Sequence, residues 1–167
     1  MVLLVFISLL NPVDAELDHI RTSFHQSLLD ESKIEDFYNL SQEVDTSSAL
    51  GRSYKAVGYI MKAKNEWNPI EQLILLSKYQ RGINQAIESE PDNVEIRFLR
   101  FSVAHYLPDV FGLKKNMKED KEVMMSNLDG FDLSSVNDDF DSYILWFLDD
   151  CGFYTPEELE LIKQHLN

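Results

Sequence analysis

NPIEQLILLSKYQRGINQAIESEPDNVEIRFLRFSVAHY, residues 68–106, decides the fold. Asn68 is a capping residue, Pro69 stands where a first helical residue has no use for its N–H, and Glu71 puts a carboxylate at the positive helix end. Leu73, Leu76, Tyr79, Ile83, Ala86 and Ile87 then recur at helical spacing and form the expected buried face up to Ser89. Pro91 stops this helix. Asp92 or Asn93 caps the next one, in which Ile96, Leu99, Val103 and Tyr106 repeat until Pro108. The stretch therefore predicts two helices folded against each other across Glu90, Pro91, Asp92 and Asn93.

Working outward, the same period appears on both sides. Leu17, Ile20, Phe24 and Leu28 mark a helix over residues 16–29, and Ile34, Phe37, Tyr38 and Leu40 mark another from Ser32. The polar run Asp45, Thr46, Ser47 and Ser48 caps a third helix over 49–67, which aligns Leu50, Tyr54, Val57 and Met61 and carries small Ala56, Gly58 and Ala63 where a neighbour can approach. Beyond the irregular stretch 107–116, a charged helix is expected over 117–127 and a turn at Asp129 and Gly130. A helix over 135–150 brings Phe140, Tyr143, Ile144, Phe147, Leu148 and Cys151 onto one stripe. Thr155, Pro156 and Glu158 form a capping box for a last helix whose buried side is Leu159, Ile162 and Leu166. The expectation is an all-α domain of seven or eight helices in an antiparallel helical-hairpin array.

Composition bounds the rest. The 167 residues are 44% apolar and hold only six glycines and five prolines, which fits one helical domain with one core. A formal net charge of −14 repels phosphate backbones and argues against nucleic-acid binding. Residues 2–10 form an apolar block too short to span a bilayer; with Pro12, Val13 and Ala15 they resemble a secretory signal cleaved after Ala15, although no Lys or Arg precedes the block. The expected organisation is a signal over 1–15 and one domain over 16–167, exported to the periplasm or beyond, with no stable membrane span after processing. The single Cys151 precludes an intramolecular disulfide and reads as a buried thiol beside Asp149 and Asp150.

Leu50, Gly51 and Tyr54, with Ala86 followed by Pro91, resemble a tetratricopeptide-type helical repeat, although the distance from Gly51 to Pro91 exceeds the standard 34-residue unit. That resemblance implies antiparallel helices that present a groove to a protein or peptide. Residues 91–100 followed by Tyr106, Leu107 and Pro108 resemble a block in small exported proteins of Bacteroidetes-type bacteria, which brings no activity with it.

Candidate site residues lie along the residue 93–106 helix and in the stretch that follows it. Arg97 and Arg100 share a helix side within reach of Glu95 or Asp92, and with Lys114 and Lys115 they offer anion recognition, since a guanidinium matches carboxylate or phosphate. The alternative is that they tie their helix to acidic neighbours. His105 and Asp109 stand four apart, a spacing that can orient an imidazole; with Glu95 they are the residues of a competing enzyme reading. His19 and His25 are six apart and share no helix face. Counted from Asn137, a calcium loop would need glycine and glutamate where Ser142 and Leu148 stand, and no zinc, phosphate-loop or nucleophile motif occurs, so no cofactor or metal is expected. The expected function is a protein- or peptide-binding module; the alternatives are a small hydrolase-like enzyme and a small-ligand pocket near His105.

Overall fold

The computed structural model describes residues 12–107, 112–130 and 138–166. The regular structure is helical: α1 (Pro12–Leu29), α2 (Ile34–Glu43), α3 (Ala49–Asn65), α4 (Pro69–Ser89), α5 (Val94–Tyr106), α6 (Met117–Ser126), α7 (Asp138–Asp150) and α8 (Pro156–Leu166), with no strand among the described residues. The apolar block 2–10, Asp109 and Asn137 lie outside the described residues.

Local sequence signals set the helix starts. Ser48 Oγ accepts from Gly51 N at 2.9 Å, Asn68 Oδ1 from Ile70 N at 3.0 Å and Asn93 Oδ1 from Ile96 N at 3.1 Å. Thr155 and Glu158 exchange bonds as a capping box, the Thr155 N–H donating to Glu158 Oε2 and the Glu158 N–H to Thr155 Oγ1. Before α2, Asp30 caps a 3-10 turn over Glu31–Lys33.

Packing departs from the expected pairing of α4 with α5. The main partner of α4 is α3, and α5 packs chiefly on α6. Arg52 near the start of α3 reaches Ser89 at the end of α4, Ala56 faces Gly82, and Gln72 near the start of α4 donates to the Ala63 carbonyl. This register makes α3 and α4 antiparallel. Small residues permit it: a Cβ at Gly82 would stand 2.9 Å from that of Ala56. On the other side of α3, a Cβ at Gly58 would fall 1.9 Å from Ser41 Oγ of α2, so α3 is closely flanked twice over.

Two buried faces differ from the periodic reading. On α4, Leu75 is buried and Leu73 is 62% exposed, because the buried face runs through Leu75, Tyr79, Ile83, Ala86 and Ile87. On α5, every residue from Ile96 to Ala104 is buried, whereas Tyr106 is half exposed. A helix covered all round is a core helix, and α5 is enclosed by α1, α3, α4, α6 and α7. Phe98 and Phe101 meet Phe147 of α7 edge-on at 5.6 and 6.1 Å, and Phe24 of α1 joins Phe37 and Tyr54 in a second aromatic group.

Candidate functional site

Burying α5 on all sides forces its charged residues to find partners inside. Arg97 and Arg100 are only 4% and 8% exposed, and both turn to α6, where Asp120 is fully buried. Arg100 holds Asp120 through Nε and Nη2 at 2.8 and 2.5 Å. Arg97 Nη1 donates to Glu119 at 2.6 Å and Asp120 at 3.1 Å, and its Nε donates to the Pro91 carbonyl at 2.8 Å. Burial opposes the charge on Arg97, but the bonds to Glu119 and Asp120 outweigh it and keep the group charged. The Arg97 bond holds Glu119 below the usual glutamate range despite its partial desolvation. The partners are therefore Glu119 and Asp120, in place of Glu95 or Asp92, and both arginines are largely withdrawn from solvent.

Glu95 belongs to a second network. Arg21 of α1 grips its carboxylate through Nε and Nη2 at 2.8 and 2.6 Å, and the Tyr54 hydroxyl donates to it at 2.6 Å. Burial, with Glu95 beside it, pushes the Tyr54 hydroxyl far up, so it stays a donor. His105 stands ten residues along α5, about 15 Å away at 1.5 Å per residue, edge-on to Phe147 and Tyr106. The structure thus does not bring Glu95 and His105 together, and Asp109, the third residue of the enzyme reading, is outside the described residues. His25 packs on Tyr143 and His19 is exposed. Among the described residues no group of three His, Cys, Asp or Glu side chains could hold a metal ion, and no helix is long and apolar enough to cross a membrane. Cys151 is buried, donates to the Leu148 carbonyl and has its thiol pushed up by desolvation, the opposite of an activated nucleophile.

Two concavities flank α5. One, of about 410 Å³, opens between α1, α3, α5 and α7 beside the His105 end; Phe24, Leu28, Ile60, Met61, Val103 and Tyr143 form its walls. Its serine hydroxyls are already spent: Ser27 donates to the Phe24 carbonyl and Ser102 to that of Leu99. Lys64 at its edge pairs with Glu31 at 2.6 Å. The rim is apolar as well, since Leu29 is 72% exposed and Tyr106 and Trp146 are each 54% exposed. The other concavity, of about 440 Å³, lies between α4, α5 and the segment 112–116, and is lined by polar side chains that include Arg100 and Lys115. Lys114 and Lys115 are exposed.

The five residues singled out from sequence are thereby divided. Arg97 lies in the α5–α6 interface, Arg100 in that interface and at the wall of the polar cavity, Lys115 at the same cavity, Lys114 beside it, and His105 in the aromatic group near the apolar cleft. Sequence reasoning offers a small-ligand pocket near His105 but assigns to it none of the residues that line this cleft. The cleft is assembled from four helices, and the available signal was the apolar surplus of Leu29, Tyr106 and Trp146. Comparison with family models, with curated proteins and with solved structures finds no match.

Proposed function

We propose that this chain is a protein-binding module whose apolar cleft between α1, α3, α5 and α7 receives the apolar face of a basic amphipathic segment. The observation that carries this reading is that the apolar surface does not stop at the cleft walls. It continues over exposed Leu29, Tyr106 and Trp146, and exposed contiguous apolar surface of this kind is where partners dock. A net charge of −14 favours a partner of opposite sign, by steering and by rejecting acidic competitors. A small apolar ligand is the second reading, favoured by the cleft's volume, which falls within the roughly 300–1,000 Å³ typical of small-molecule sites.

Trp146 reports on the cleft once the other tryptophan, the fully presented Trp67, is replaced by Phe. A twenty-residue Leu/Lys amphipathic peptide is titrated first and decanol second. Saturable blue-shifted emission with the peptide, abolished by Leu28→Glu, supports the module. A response to decanol alone selects the small-ligand reading, and silence with both rejects the cleft as a site.

Two expectations from sequence belong to the same proposal. Processing after Ala15 would keep the core contacts that Leu17, Ile20 and Phe24 make from α1; the mass of the mature chain from its own host tests export. The tetratricopeptide-like reading draws support from the antiparallel packing of α3 on α4 across small residues.

A further inference from the structure

We infer that the polar cavity between α4, α5 and the segment 112–116 is a second binding site, for a small organic carboxylate held by Lys115 and Arg100, with the Tyr79 hydroxyl and flanking amides donating to it. The cavity has room for such a ligand, about 440 Å³, and its wall combines Tyr79, Gln80 and Asn84 of α4 with Arg100 of α5 and Lys115 and Asn116. This wall shares no residue with the apolar cleft.

Tyr79 supplies the observation that points to a ligand. The residue is 1% exposed, lines the cavity, and its hydroxyl has no hydrogen-bond partner among the described residues. A buried hydroxyl is ordinarily satisfied, and an acceptor bound in this cavity would satisfy it. Burial also pushes its ionisation far up, so it remains a donor.

Charge then selects the ligand class. Arg100 spends Nε and Nη2 on Asp120, and the α5–α6 cluster of two arginines, Glu119 and Asp120 is neutral as a whole. Nη1 of Arg100 is not used by Asp120. Lys115 has no ion pair among the described residues and brings a positive charge to the cavity wall. One positive charge among hydrogen-bond donors matches a carboxylate better than a phosphate dianion. Gln80, Asn84 and Asn116 bring amides that donate or accept, which suits a ligand with further polar groups rather than a hydrocarbon chain.

Calorimetric titration of the full chain with propionate, lactate, glutamate and glutarate, and with inorganic phosphate as the competing anion, tests the assignment. Saturable binding of at least one carboxylate is expected, weakened about tenfold or more by Lys115→Met, as loss of a charge-assisted contact implies. Tyr79→Phe should weaken it several-fold while leaving the thermal midpoint unchanged or higher, because it deletes only an unpartnered hydroxyl. Leu28→Glu, in the other cleft, should leave the titration unchanged, which separates this site from the proposed docking cleft. Absence of saturation with every carboxylate, preference for phosphate, or affinity indifferent to both Lys115→Met and Tyr79→Phe would each overturn it.

Discussion

Arg100 and Asp120 meet through two parallel hydrogen bonds of 2.8 and 2.5 Å, and Asp120 has no exposed surface. This pair, with Arg97 on the same carboxylate at 3.1 Å, joins α5 to α6 where apolar side chains would otherwise stand. A buried charge is tolerable only while its counterion stays, so the cluster acts as a condition on the α5–α6 interface more than as a net source of stability. Its members should therefore be intolerant of single removal.

Asp120→Ala leaves both guanidiniums inside with only the exposed Glu119 to answer them. The expected loss is about 3–5 kcal/mol, the range for breaking one side of a buried pair. Urea denaturation measures it; a change under about 1 kcal/mol would mean that water already reaches these arginines.

The bond from Arg97 gives the cluster a pH signature. Glu119 titrates below its ordinary value of 4.5 in the folded protein, so its contribution is complete above that pH. As pH falls, the unfolded chain takes up the proton first, and the contribution disappears on passing through the lower folded value. Wild type should exceed Glu119→Gln in urea midpoint at pH 7, and the gap should close toward pH 3. A gap that is constant or widens in acid contradicts this account.

Gly58 tests the close approach of α2 to α3. A Cβ there would meet Ser41 Oγ at 1.9 Å and Ser41 Cβ at 2.8 Å, and the second contact has no rotamer escape. Gly58→Leu should cost on the order of 1–3 kcal/mol by overpacking, and Ser41→Gly in the same chain should recover part of it. Thermal melts of the single and double variants decide; additive losses would place the strain elsewhere.

Sequence showed the helix starts because capping is local: Ser48, Asn68, Asn93, Thr155 and Glu158 each bond within three residues. It did not show who packs on whom. The turn at 90–93 makes α4 and α5 neighbours in the chain, yet the small residues Ala56 and Gly82 draw α4 to α3 instead. Nor did it show Asp120 as the partner of Arg97 and Arg100, since a run of charges in residues 118–122 reads as a solvated face. The missed clue was in α5: arginines in a helix apolar on every side must be buried, and so must their counterions. The anion-recognition reading of Lys115 and the pocket reading near His105 concern surfaces that form only when three or four segments assemble.

The register of α4 provides the last test. Residues 73–76 read Leu, Ile, Leu, Leu, and periodicity alone allows a face through Leu73 or one through Leu75. The structure buries Leu75 to 8% exposure in the core and leaves Leu73 at 62%, near exposed Ile70 and Ile74. Leu75→Ala should then cost about 2–5 kcal/mol, as for a core leucine, whereas Leu73→Ala should stay within about 0.5 kcal/mol of wild type. The pair is informative because the two substitutions are chemically identical and differ only in which way the helix is turned. Equal losses would mean that Leu73 is covered by a partner in solution, and a larger loss at Leu73 would require α4 to be rotated on α3, carrying Tyr79 out of the polar cavity with it.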